Sequence, residues 1–320
     1  MMKEDYVACS VIASVYNEEE GIMDFYKELS AVLASLGITY EIIFINDGSR
    51  DDTPALLKEI AEQDEKVKVV NFSRNFGHEA AMIAGIDHCC GEAVICMDSD
   101  LQHPPAMIPA MLQKRAEGFE VVNMVRTERK DAGFFQKMRS KLFYKFINSI
   151  SSIKLAENAS DFFLISRRVC KILQSDFRER TRFLRGIIQI VGFKKTTLDY
   201  VAKERTAGKS KYSFMKLLLL SFTAISSFSK FPLQLGIITG LIFVLISVIL
   251  IIYSLVMWIL EAPVSGYTTL IVFMSAFAGI QLFITGIIGQ YISYIFDETK
   301  ARPIYIVEDV INYKDTKETY

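Results

Sequence analysis

Two stretches near the C-terminal end, Leu233 to Leu260 and Tyr267 to Phe296, carry no formal charge. Each is longer than the roughly 20 residues that cross a bilayer as a helix. Buried helices of globular proteins rarely run so far without a charge, so the chain is expected to form a two-helix transmembrane hairpin over 232–296, with helices at about 233–260 and 267–296. The connector holds Glu261, Pro263 and Gly266 but no Lys or Arg, whereas Lys216 and Lys230 precede the first span and Lys300 and Arg302 follow the second. The positive-inside bias puts both chain ends in the cytoplasm. Met1 to Asp5 lack a basic-then-apolar leader, which agrees with a catalytic domain at the cytoplasmic face of a cytoplasmic (inner) membrane. Gly236, Gly240, Gly279, Gly286 and Gly289 would let helices approach closely, within the hairpin or between copies.

Two flanking segments suit the membrane interface. Phe214 to Phe231 is apolar and Ser-rich, with charge only at Lys216 and Lys230. Phe134 to Ile153 interleaves basic residues with Phe135, Met138, Leu142, Phe143, Phe146 and Ile147. Both read as interfacial helices, 134–153 and 214–231; the first reads equally as an amphipathic helix packed on a sheet. Net charge is −1, so nothing in the bulk charge points to nucleic acid. The 5 cysteines have neither zinc spacing nor an even disulfide framework, in keeping with a reducing compartment.

The chain before the hairpin alternates between two periods. Val7 to Ala13, Glu41 to Ile45, Val67 to Asn71 and Ala93 to Met97 are short apolar runs of strand type. Glu19 to Leu36 and Thr53 to Gln63 place apolar residues at three-to-four spacing, the second after a Ser/Asp/Thr start signal. Such alternation predicts an α/β domain over 1–213 with a mostly parallel sheet, followed by the hairpin and a cytoplasmic tail at 297–320 whose end, Lys314 to Tyr320, is frayed. Ligands of parallel sheets gather at the carboxyl ends of the strands. Asn17-Glu18, Asp47-Gly48-Ser49, Arg74-Asn75 and Asp98-Ser99-Asp100 all follow strands, so they are expected on one rim.

Asp98 and Asp100, two apart on a loop after a strand, can turn toward one divalent cation. An isolated pair of this kind is more often a cap or a turn. Asp47-Gly48-Ser49 likewise reads alone as a turn before a helix cap. Arg205, Lys209 and Lys211, spaced by Gly208 and Ser210, suit phosphate binding, or anionic headgroups beside a membrane.

The ordered set is more telling than any member. Ser14-Val15-Tyr16-Asn17-Glu18-Glu19, Asn46-Asp47-Gly48-Ser49-Arg50-Asp51-Asp52-Thr53, Phe72-Ser73-Arg74-Asn75-Phe76-Gly77-His78, Asp98-Ser99-Asp100-Leu101-Gln102-His103, Ala159-Ser160-Asp161-Phe162 and the Arg205 to Ser213 loop, followed by the hairpin, resemble family 2 GT-A glycosyltransferases. The resemblance is to the polyprenyl-phosphate branch, similar to dolichyl-phosphate mannose synthase and more closely to bactoprenol-phosphate glucosyltransferases. It implies a Rossmann-like GT-A domain and an inverting transfer of a hexose, from UDP-glucose first, to undecaprenyl phosphate. UDP-N-acetylglucosamine, a UDP-aminoarabinose derivative or GDP-mannose are the alternative donors, and a non-catalytic membrane scaffold is the alternative of another class.

By the same resemblance Ser14, Tyr16 and Glu18 wall the nucleobase and ribose, and Asp47 accepts a hydrogen bond from the base. Asp98 and Asp100 hold Mg²⁺ or Mn²⁺, with Gln102 assisting and Ser99 between them. Arg126, Arg139, Arg205, Lys209 and Lys211 bind donor and acceptor phosphates. Asp161 stands where related enzymes place a base, but a phosphate acceptor is already ionised, so a positional role is expected. His78 and His103 read as hydrogen-bonded structure. The implied partners are nucleotide sugar, polyprenyl phosphate, the bilayer and further copies of the chain. Three positions depart from the pattern: Ser14 for Pro, Asn46 for the first acid of Asp-Asp-Gly-Ser, and His103 for an acid.

Overall fold

The computed structural model describes residues 6–127, 159–180, 184–201, 231–260 and 266–313. The expected interfacial helices, together with Arg139, Arg205, Lys209, Lys211 and the end from Lys314, lie outside the described residues, apart from Phe231. The chain divides into two compact units.

The larger unit is one sheet of eight strands in the order β7-β5-β6-β4-β1-β2-β3-β8. Its first half follows the period change in the sequence: β1 (Cys9–Val15), α1 (Ile22–Ser35), β2 (Tyr40–Asn46), α2 (Thr53–Gln63), β3 (Val67–Phe72), α3 (His78–His88) and β4 (Ala93–Asp98). β1, β2, β3 and β4 are mutually parallel. Every residue of β1 and β2 is buried, because helices cover both faces. Ile22, Phe25, Leu29 and Leu33 of α1 fill one face with Leu57 and Ile60 of α2. The small residues of α3, Ala80, Ala81 and Ala84, press on the other. Gly85 lets α3 come that close, since a Cβ there would meet Ile12 Cγ2 at 2.1 Å.

A 3₁₀ turn and α4 (Ile108–Ala116) lead to β5 (Val121–Arg126); then follow β6 (Ala159–Ser166), α5 (Arg167–Ser175), α6 (Leu184–Ile190) and β7 (Lys195–Tyr200). β6 lies antiparallel between β4 and β5. Antiparallel insertion brings the first residues of β6 to the rim where β4 ends.

The smaller unit holds α7 (Phe231–Ile259) and α8 (Tyr267–Thr299). Both are long and apolar enough to cross a membrane, and their side chains face outward, as with Leu245 (63% exposed) and Leu282 (73%). Phe243 packs edge-on against Phe277 at 5.6 Å, and a Cβ on Gly236 would lie 3.2 Å from Ile284. Those two contacts make α7 and α8 antiparallel. Gly240, Gly279, Gly286 and Gly289 have open space where a Cβ would go.

The tail differs from expectation. After α8 the chain re-enters the larger unit, and β8 (Val307–Ile311) pairs antiparallel with β3. Asn312 Nδ2 then donates to the carbonyls of Ala61 (2.6 Å) and Val67 (2.8 Å). The run is mostly exposed and carries Glu308 and Asp309, so its period gives no strand signal; the open edge of β3 makes it one.

Candidate active site

The sheet register builds the site. Ser14 lies opposite Asp98, and Val15 opposite Asn46. Asn46-Asp47 and Asp98 therefore end on one rim with the Tyr16 turn. Cys96 opposite Phe163 brings Asp161 to the same place, and the first residue of α3, His78, stands between the two acids. Its Nε2 is 3.6 Å from Asp98 Oδ1 and 3.5 Å from Asp161 Oδ2, and its Nδ1 is 2.8 Å from Ser14 Oγ. Arg185, on the first turn of α6, grips Asp161 with two nitrogens, Nε on Oδ1 and Nη2 on Oδ2 at 2.6 Å. The Leu184 N–H donates to Glu79 Oε2 at 2.9 Å, so α3 also sets the start of α6.

Burial raises the Asp98 carboxyl to about 6; His78 opposes the rise while Asp161 and Asp100 add to it. Burial works against charge on His78, but Asp161, Asp98 and Glu79 outweigh it and raise the imidazole to about 9. At neutral pH it is a cation, so Nδ1–H donates to Ser14 Oγ. Nε2 is buried with no hydrogen-bond partner and points into the gap between the acids. Asp161 is held well below the usual carboxylate range, because His78 and Arg185 overcome its burial. Burial lowers His103 to about 4. That ring is neutral, and the Asp98 N–H donates to its Nδ1 at 2.9 Å. The 3.6 Å approach of His103 to Asp98 Oδ2 is thus not an ion pair. His103 stacks on Phe162 at 5.2 Å and serves as a prop behind the carboxylate.

The other expected residues divide. Asp100 Oδ1 accepts the Gln102 N–H at 3.0 Å across a turn in which Leu101 has φ +59°. Gln102 Oε1 accepts from Arg126 Nη1 at 3.3 Å, which brings Arg126 to the carboxylate pair. Tyr16 is 45% exposed beside Asn17, whose φ of +53° turns the chain. The Glu18 N–H donates to Thr53 Oγ1 at 2.9 Å, which ties that turn to the start of α2.

Two of the expected residues also hold the frame of the site. The Ser99 hydroxyl is buried and donates to the Ser14 carbonyl at 2.9 Å, stitching β4 to β1. Asp47 is buried and accepts the N–H groups of Phe76 (2.6 Å) and Gly77 (2.9 Å), so it shapes the loop leading to His78. Gly48 allows that loop in: its φ is +66°, and a Cβ would meet the Arg74 carbonyl carbon at 2.5 Å.

The departures from the family pattern are explained locally. Pro at position 14 would have no hydroxyl for His78. Asn46 accepts from Ser49 N–H at 3.0 Å and donates to Asn71 Oδ1 at 2.9 Å; an ionised acid could not make the second bond. Sequence reading missed Arg185 and Glu79 altogether and underrated His78, since each acts through non-local register.

The residues fit a divalent cation. Asp98 and Asp100 supply hard oxygens, and Asp98, raised to about 6 chiefly by burial, also feels the neighbouring carboxylates of Asp161 and Asp100. Among the described residues no three His, Cys, Asp or Glu side chains form a closed metal cage. Mg²⁺-type sites of one or two carboxylates completed by substrate phosphates have that composition.

A Rossmann-like sheet with this carboxylate rim and an inserted antiparallel strand defines a GT-A glycosyltransferase. Residues 10–173 match glycosyl transferase family 2, and the chain belongs to that family. It is 40% identical over 310 residues to the uncharacterized glycosyltransferase YkcC of Bacillus subtilis, covering 95% of this chain and 94% of that one. It is 39% identical over 304 residues to the bactoprenol glucosyl transferase of Shigella phage SfV, covering 94% and 98%. Glucosyl-3-phosphoglycerate synthase from Mycobacterium tuberculosis, solved with Mn²⁺, UDP and glucosyl-3-phosphoglycerate, superposes with a TM-score of 0.46 at 19% identity over 69% of this chain and 79% of that one.

Proposed function

We propose that the chain transfers a hexose with inversion from UDP-glucose to undecaprenyl phosphate at the cytoplasmic face of a membrane. The observation that carries the reading is the charged rim: Asp98, Asp100 and Asp161 converge with His78 and Arg185, in a family 2 chain that ends in two apolar helices. The glucosyl and polyprenyl parts are supported by the names of relatives such as the SfV enzyme. The hairpin orientation is supported by topology. β7 precedes the two apolar helices and β8 follows them in one sheet, which supports an even number of crossings with both flanks on one side.

In this mechanism an acceptor phosphate oxygen attacks the anomeric carbon as the bond to the diphosphate oxygen breaks, and nucleoside diphosphate leaves. A divalent ion held by Asp98 and Asp100 would offset charge on that leaving group. No base is required, because the acceptor is already an anion. Asp161, ionised and paired with Arg185, acts as a positioning group. The His78 imidazolium supplies a fixed cation beside it, and Arg126 sets Gln102. Arg205, Lys209 and Lys211 clamp the phosphates, joined by Arg139, and Ser14, Tyr16, Glu18 and Asp47 form or shape the nucleoside side. Rate enhancement then comes from orientation and preorganised charge.

The test is incubation of the full chain in detergent with undecaprenyl phosphate, Mg²⁺ or Mn²⁺ and each of UDP-glucose, UDP-N-acetylglucosamine, a UDP-aminoarabinose derivative and GDP-mannose. Lipid-linked hexose from UDP-glucose alone, abolished by chelation, is expected. Product from another donor would correct the sugar, and no product from any donor would overturn the reading.

A further inference from the structure

The segment that follows α8 touches the end of β3 and the last turn of α3, two elements that lead to the site. The Tyr305 ring stacks on Phe72 at 5.1 Å with 12° between planes, and Phe72 meets Phe76 edge-on at 5.7 Å. Phe76 is the residue whose N–H Asp47 accepts. The neighbouring Ser73 N–H donates to the Ile306 carbonyl at 3.1 Å. The loop from β3 to His78 is therefore braced from outside by Tyr305 and Ile306.

The hydroxyl of the same tyrosine works elsewhere. It donates to Asp87 Oδ2 at 2.7 Å, on the last turn of α3. Arg178 Nη1 donates to the same carboxylate at 2.7 and 3.0 Å. Arg178 follows α5, and the start of α6 is held to α3 where the Leu184 N–H donates to Glu79 Oε2. The next residue is Arg185, the partner of Asp161. α3 thus carries His78 and Glu79 at one end and Asp87 at the other, and Tyr305 joins this frame to the β3 loop.

We propose that Tyr305 is a positioning residue for the transfer reaction, holding the nucleotide-side loop through its ring and the Asp161–Arg185 side through its hydroxyl. The two contacts are chemically separable. A phenylalanine would fill the same space against Phe72, whereas only the phenol reaches a carboxylate already engaged by Arg178. Burial and Asp87 push its ionisation far above the usual range, so it remains a donor throughout the working pH. Small errors in placing groups around a reacting centre cost disproportionate rate, which is why contacts this far back bear on turnover.

The test uses the full chain in detergent, with Tyr305→Phe, Tyr305→Leu, Asp87→Asn and the Tyr305→Phe/Asp87→Asn double variant. Its kinetic arm rests on the transfer reading above; its binding arm, calorimetric affinity for UDP with Mn²⁺, does not need turnover. Tyr305→Phe is expected to leave UDP affinity and donor KM unchanged and to lower kcat about three- to tenfold, the scale of one lost hydrogen bond. Tyr305→Leu is expected also to weaken UDP binding by about tenfold, since the brace on the β3 loop goes with the ring. Asp87→Asn reproduces the phenylalanine effect and the double variant is no worse. Wild-type kcat in Tyr305→Phe, or losses that merely track the unfolded fraction with kcat and KM of folded molecules unchanged, would overturn the proposal. If the wild type transfers no sugar, the transfer reading fails by itself, and equal UDP affinities of wild type and Tyr305→Leu would still overturn the positioning role.

Discussion

Asp161→Asn separates positioning from proton abstraction. The Asp161 side chain is 14% exposed and Arg185 holds it from two nitrogens, with His78 Nε2 at 3.5 Å. Breaking a fully buried pair by removing one partner costs about 3–5 kcal/mol, because the other charge is left uncompensated. Arg185 is 38% exposed, so water takes up part of that loss and about 2 kcal/mol is the better figure. If that energy holds Arg185 and His78 in the reactive geometry, kcat falls about thirtyfold. UDP affinity, set on the other side of the rim, should stay within about threefold. The assay is steady-state release of UDP with undecaprenyl phosphate as acceptor, alongside calorimetry with UDP and Mn²⁺. Because the two residues act as a pair, Asp161→Asn/Arg185→Gln should be no worse than the poorer single variant. Wild-type turnover in Asp161→Asn, or fully additive losses in the double variant, would refute the reasoning.

Further expectations concern protons and the tail. A proton competes with metal for Asp98 below about 6, so the Mn²⁺ dissociation constant should rise about tenfold per pH unit there and be flat above neutrality; a flat titration from pH 5 to 7 would exclude Asp98 as a ligand. His78 is raised to about 9, so its contribution to stability is complete below its unfolded value near 6.5 and is lost as pH rises through about 9. Denaturant midpoints of His78→Gln should therefore decline less than wild type over that window, and parallel curves would contradict the charge assignment. A chain stopped after Phe231 loses β8, Tyr305 and Asn312 with the hairpin, and is expected not to fold. Joining residue 213 to residue 303 by a flexible linker should restore a cooperative thermal transition, and a stable fold without the tail would show that β8 is dispensable.

The split between what was legible and what was not follows locality. α2 could be read to its ends, Thr53 and Gln63, since its start signal and period are local. The strands before Asn46-Asp47 and Asp98 were legible for the same reason, and the carboxyl-end rule for parallel strands then put those residues on one rim. The two long apolar helices needed only hydropathy. β8 was not legible, because five mostly exposed residues become a strand only against the edge of β3. The pairing of Asp161 with Arg185, and the place of His78 between two acids, depend on β6 running antiparallel beside β4; neither has a signature within a short window. The bond from the Ser99 hydroxyl to the Ser14 carbonyl was not legible for a similar reason: it depends on β1 lying beside β4.

The most direct test of the account is the stoichiometry and configuration of transfer. With radiolabelled UDP-glucose, Mn²⁺ and undecaprenyl phosphate, the full chain should release one UDP for each glucose recovered in the lipid phase, and the glucosyl phosphate should be β. UDP released without labelled lipid, or an α-linked product, would contradict it.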